Sequence, residues 1–170
     1  GEKTILVDLD LRHPAICEHL GLEKQYGLQD FIRDDADMSK LNHLLHIEEA
    51  TGLNIALSGI PQKMATDILI QSARLDALLE TFKAEYDVII IDTPPVGLVV
   101  DTQIIAQKVD QLVYAIKDAA TSQKHILTGI NHIKLAQSDL PILTVITQQD
   151  DRQTAYDGMY GAEYSYYYNQ

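Results

Sequence analysis

The chain has 170 residues, a formal net charge of -12 and 46% hydrophobic residues. That length and apolar content fit one packed domain. The acidic balance argues against holding nucleic acid or an anionic membrane surface by general attraction, which needs clustered Lys and Arg. No apolar run approaches the roughly 18–20 residues of a membrane span, and no signal-peptide pattern opens the chain. Cys17 is the single cysteine, so no internal disulfide can form, and a reducing cytosol is the expected compartment.

In chain order, residues 4–7 read as a strand that runs into Asp8, Asp10 and Arg12. A short helix over 14–20 follows, with Gly21 where a left-handed cap belongs. A second strand is expected at 53–57, then a long helix capped by Thr66 or Asp67 and running through Glu85. Residues 88–91, "VIII", are apolar without alternation, as a central parallel strand covered on both faces should be. Asp92 and a Thr-Pro-Pro turn end that strand. Asp101 is expected to cap a helix over 102–108, strands follow at 112–116 and 142–146, and Thr121 or Ser122 caps a helix through Ala136 between them. Strands alternating with helices imply a parallel sheet with helices on both faces, whose ligands bind beyond the carboxyl ends of the strands.

From Gln148 the apolar periodicity stops. Residues 1–147 therefore read as the folded domain and 148–170 as a mobile tail. Six of the nine tyrosines lie in that tail: Tyr156, Tyr160, Tyr164, Tyr166, Tyr167 and Tyr168.

Asp8 and Asp10 stand two apart on extended chain, so both can face one way while Leu9 packs opposite. Oxygen-only donors of this kind suit Mg²⁺, and a carboxylate here could also accept a proton from an attacking hydroxyl. Taken alone, D-x-D after a strand also describes solvated acids at a strand end. Asp92 repeats the design, a buried strand ending on an acid, which fits a residue organising Mg²⁺ beside nucleotide phosphates. Pro94 and Pro95 fix the backbone just after it. His43 and His46 have H-x-x-H spacing but no evident third ligand.

Together "ILVDLDLRHP", "LSGIPQKMATDILIQSARL", "YDVIIIDTPPV" and the tyrosine-rich end resemble the bacterial tyrosine kinases (BY-kinases), cytoplasmic P-loop kinase domains of exopolysaccharide and capsule biosynthesis. The first stretch resembles their Walker A′ motif, the third their Walker B motif, and the tail their autophosphorylation cluster. The family's Walker A loop, G-x-x-x-x-G-K-[ST], occurs nowhere in these residues. The resemblance therefore implies a P-loop NTPase-like α/β fold whose first P-loop unit is missing. The middle stretch also lacks the family's N-P pair. For the complete enzyme the resemblance implies an ATP- and Mg²⁺-dependent protein-tyrosine autokinase. Asp8, Asp10 and Asp92 become catalytic candidates, Asp8 and Asp92 metal candidates, and Arg12 joins all three as a nucleotide-side group, with a subunit contact or a surface salt bridge as its alternatives. Asp101 matches an acid the family often has after D-T-P-P. The six tail tyrosines are the implied acceptors. Implied partners are further copies in a ring, a membrane polysaccharide co-polymerase or activator, and a tyrosine phosphatase, at the inner face of the cell membrane. The alternatives are a placement or partitioning ATPase of related architecture and a non-catalytic interaction module.

Overall fold

The computed structural model describes residues 1–22, 26–34, 41, 43–61 and 65–149. The six tail tyrosines and all of the expected tail except Gln148 and Gln149 lie outside them. The strands are β1 Thr4–Asp8, β2 Leu45–Ile47, β3 Asn54–Ala56, β4 Val88–Asp92, β5 Leu112–Lys117 and β6 Ile142–Thr147. All but β2 fall where apolar β-formers cluster in the sequence. β2 has three residues and lies antiparallel to β3, too short to show a period. One sheet has the order β2-β3-β1-β4, with β1 parallel to both β3 and β4, while β5 and β6 form a separate parallel pair.

The helices are α1 Ile16–His19, α2 Leu28–Arg33, α3 Thr66–Ile70, α4 Ala73–Glu85, α5 Asp101–Ala106 and α6 Gln123–Ala136. Gly21 takes the expected left-handed conformation (φ 65°) after α1, and Ser122 caps α6. The long helix expected over 66–85 is instead two. Ser72 adopts an extended conformation, accepts from Leu75 N–H at 3.2 Å and donates to the Leu69 carbonyl at 2.7 Å. A serine that satisfies the end of one helix and the start of the next breaks the run. Neither Thr66 nor Asp67 caps α3, because the N-cap position is Ala65, which makes no side-chain cap bond.

Leu75, Leu78, Leu79 and Phe82 form the buried face of α4 and share one core with Ile5, Val7, Ile89 and Ile91. Each such side chain taken from water contributes about 1.5–3 kcal/mol. Ile133 of α6 packs with Leu112 and Ile142, and α5 touches α6, so α4, α5 and α6 cover one face. On the other face α1 places Cys17 and Ile16 against Leu6 and Ile55.

β4 was expected to be covered on both faces, and it is not. Ile89 and Ile91 meet the core, but Ile90 between them is 51% exposed. Alternation on β5 and β6 likewise turns Val113, Leu143 and Val145 away from α6, and all three are exposed. Between β4 and β5 lies a cavity of about 570 Å³ walled by Val88–Ile91 and Leu112–Tyr114. The four-stranded sheet and the β5-β6 pair thus leave an open slot between β4 and β5, and apolar side chains beside it are bare.

Candidate functional site

β1 and β4 end in register, with Asp8 opposite Asp92, and Leu9 N–H donates to the Asp92 carbonyl at 3.0 Å. Leu9 is fully buried, so the backbone beyond the strand is packed down rather than free. Asp8 is also fully buried, and neither of its carboxylate oxygens meets a hydrogen-bond partner. Burial pushes its pKa up to about 6, with Ser58 holding the rise back and the charge of Asp92 adding to it. The Ser58 hydroxyl and backbone and the Asp10 backbone lie close enough to ease the charge but fall short of full hydrogen-bond geometry with either oxygen. Asp92, exposed at its strand end, is shifted upward as well, first by partial loss of water around its carboxylate and then by the charge of Asp10. Three carboxylates therefore share one electrostatic environment at the carboxyl ends of adjacent parallel strands.

Asp10 has a second task. Its Oδ1 accepts from His13 N–H at 2.9 Å and from Arg12 N–H at 3.3 Å, closing the turn that follows β1. That leaves Oδ2 for other partners. A buried carboxylate with both oxygens unpaired, flanked by two more acids, is unfavourable on its own. A divalent cation would relieve it, and an all-oxygen donor set is what Mg²⁺ takes. Among the described residues no group of three or more His, Cys, Asp or Glu side chains is placed to hold a metal ion by itself, so Asp8 would meet such an ion with water or a ligand's oxygens completing its shell.

Arg12 lies beside this cluster but points one edge elsewhere. Its Nε and Nη2 donate to Asp101 at 2.9 and 2.8 Å, and Thr66 Oγ1 donates to the same carboxylate at 2.7 Å. Asp101 is fully buried. Burial pushes its pKa up, but the bonds from Arg12 and Thr66 and the Arg12 charge outweigh this and hold it below the ordinary value. The expectation that Asp101 caps α5 fails: the N-cap is Val100, with no side-chain cap bond. The carboxylate is already engaged by residues brought from β1 and α3.

The structure thus gathers Asp8, Asp10 and Asp92, with Arg12 at their side. It adds Ser58, Thr66 and Asp101, to which no pattern in the sequence gave these contacts. Acceptor and donors there are 35 and 89 residues apart, and only folding makes them neighbours.

Parallel strands, crossover helices and acids at the strand ends make this a P-loop NTPase-like α/β protein. No family model matches the chain. The tyrosine-protein kinase CpsD of Streptococcus pneumoniae is 30% identical over 162 residues, 95% of this chain and 69% of CpsD. EpsB of Ralstonia nicotianae is 28% identical over 167 residues, 98% of this chain. Among solved structures, the kinase domain of VpsO superposes with a TM-score of 0.78 at 28% identity, over 88% of this chain and 71% of that one. The septum site-determining protein MinD of Pyrococcus horikoshii, complexed with Mg-ADP, reaches 0.64 at 19% identity, covering 92% of this chain and 65% of its own, a likeness of fold alone. The chain belongs to the bacterial tyrosine-protein kinase family. It spans 21% of the length of EpsB and about two thirds of CpsD.

Proposed function

We propose that these residues are the carboxylate-bearing part of an ATP-dependent protein-tyrosine autokinase that regulates exopolysaccharide or capsule synthesis and export. The observation that carries this reading is the fully buried Asp8, both oxygens unpaired, beside Asp92 and Asp10. In this reading Asp8 and Asp92 hold Mg²⁺, directly or through water. The ion neutralises charge on the phosphates when bound. Asp10 Oδ2 or Asp8 accepts the phenolic proton as the tyrosine oxygen bonds to the γ-phosphorus and the bond to ADP breaks. Arg12 offers Nη1, which has no partner among the described residues, to a phosphate oxygen. Residues 1–147 form the domain and 148–170 the tail, whose tyrosines 156, 160, 164, 166, 167 and 168 are the acceptors. Further copies in a ring, a membrane co-polymerase or activator, and a phosphatase are the partners, at the inner face of the membrane. Among the described residues no helix is long and apolar enough to cross one.

The slot and the bare face support one addition: a strand–loop–helix unit bearing the phosphate loop, which the 170 residues do not contain. Parallel crossovers are right-handed in nearly all cases. The steps β3 to β4, β4 to β5 and β5 to β6 run one way across the sheet with α4, α5 and α6 on one face. The step β1 to β3 runs the other way; its first helix, α1, lies on the opposite face, while α2 packs into the core on the α4 side. A strand in the slot that led into β1 would also step that second way, so its helix would lie over Ile90, Val113 and Val145. Slot and bare face then fit one unit.

Transfer of labelled phosphate from ATP tests the function, in a chain carrying such a unit ahead of β1. Asp8→Asn, Asp10→Asn and Asp92→Asn are each expected to reduce autophosphorylation sharply. Wild-type rates in all three would refute the reading. The 170 residues alone are expected to bind ATP weakly or not at all, and micromolar affinity by calorimetry would contradict the need for the added loop.

A further inference from the structure

Two turns that carry the carboxylates are joined at the head of α5. Thr102 Oγ1 donates to the Pro94 carbonyl at 2.7 Å, fixing α5 to the turn after Asp92. Its neighbour Asp101 takes the Arg12 fork and the Thr66 hydroxyl. Arg12 in turn gives its backbone N–H to Asp10 Oδ1. A continuous bonded path therefore runs from Asp92 through Pro94, Thr102, Asp101 and Arg12 to Asp10.

We propose, resting on the reading above, that Asp101 is a positioning residue: with Thr66 it fixes Arg12, and through Arg12 it sets where Asp10 stands relative to Asp92. Stability alone does not call for a carboxylate there, because buried ion pairs are commonly matched or surpassed by well-packed apolar residues. What an apolar side chain cannot supply is direction. The two parallel bonds of a guanidinium on a carboxylate fix its plane as well as its place. Thr66 engages Asp101 as well, so the acid has little freedom to swing. Because Arg12 also holds Asp10, tilting its guanidinium would move the turn that presents Asp10.

The test uses the 170-residue chain and Mn²⁺ as a probe for Mg²⁺, read by electron paramagnetic resonance. Partners that orient a metal's ligands commonly carry about 10- to 100-fold in affinity. Asp101→Asn and Arg12→Lys are each expected to weaken Mn²⁺ binding about tenfold. Thr66→Val should weaken it roughly threefold, and Thr66→Ser should restore it, since the hydroxyl returns. Asp76→Asn on α4, which breaks the ion pair with Lys108 beyond α5, serves as a control that leaves Mn²⁺ binding unchanged. Amide exchange supplies a second readout: the Arg12 and His13 N–H groups should exchange faster in Asp101→Asn and in Thr66→Val. Unchanged Mn²⁺ affinity in both variants, whatever happens to their melting temperatures, overturns the proposal. So do wild-type exchange rates at Arg12 and His13. A wild-type chain that binds no Mn²⁺ sinks the metal site itself, and the exchange rates then decide this proposal alone.

Discussion

Asp8 and Asp101 are both fully buried carboxylates, and the fold treats them in opposite ways. Asp101 receives two bonds from Arg12 and one from Thr66, and its pKa lies below the ordinary value. Asp8 has Ser58 and the Asp10 backbone nearby to ease its charge, but neither of its oxygens completes a hydrogen bond, and burial drives its pKa up to about 6. The chain can evidently satisfy a buried acid when it serves the frame. In the proposed reading, the poorly satisfied Asp8 next to Asp92 and Asp10 is an opening for a ligand rather than a failure of packing. On that reading the head of α5 is frame, and the end of β1 is site.

The largest expected effect comes from breaking the frame. Arg12→Ala would strand Asp101 as an unpaired buried charge and should cost about 3 kcal/mol in urea unfolding, the lower end for such a pair because Arg12 stays partly exposed. Gly27→Ala comes next. A Cβ at position 27 would stand 2.3 Å from the backbone of Gly59, itself at φ +89°. Neither chain can give way cheaply, so a loss of about 2 kcal/mol is expected by the same measurement. Thr66→Val removes one of three bonds to Asp101 and should cost about 1 kcal/mol.

The two acids also separate in their pH dependence. The folded pKa of Asp101 is depressed, so its contribution is present above the unfolded value and lost as pH falls through the folded one. That of Asp8 is raised from 3.8 to about 6. Its contribution is complete below the unfolded value and disappears as pH rises through about 6. Between roughly pH 4 and 6, Asp8→Asn should remove a downward slope from the stability curve, whereas Asp101→Asn should not. Melts across that range check the difference.

Much of the candidate site is legible in the sequence. Asp8, Asp10 and Asp92 each follow an apolar run that could only be a strand, and the carboxyl ends of parallel strands are where such sheets bind ligands. The core strands were legible for the same reason, since β-branched runs bounded by acids and prolines have few other readings. Asp101 was not. Helix-capping chemistry is local, and an Asp before an apolar helix reads as a cap; only the tertiary approach of Arg12 and Thr66 takes it away. The break at Ser72 shows the converse. The apolar period continues across it, and one hydroxyl bonding both ways ends the helix regardless. The bare face of β4 was hidden too, because "VIII" carries the same apolar pattern whether or not a neighbour covers it.

The contrast between the acids reduces to one substitution. Asp8→Asn removes a charge that Ser58 and the Asp10 backbone ease only in part, while keeping its shape. A rise from 3.8 to about 6 corresponds to at most about 3 kcal/mol, so equilibrium urea unfolding at pH 7 should find Asp8→Asn more stable than the wild type by up to that amount, with the gain gone at pH 4. An Asp8→Asn chain less stable than the wild type at pH 7 would mean that Asp8 is part of the frame, and would contradict its assignment to the site.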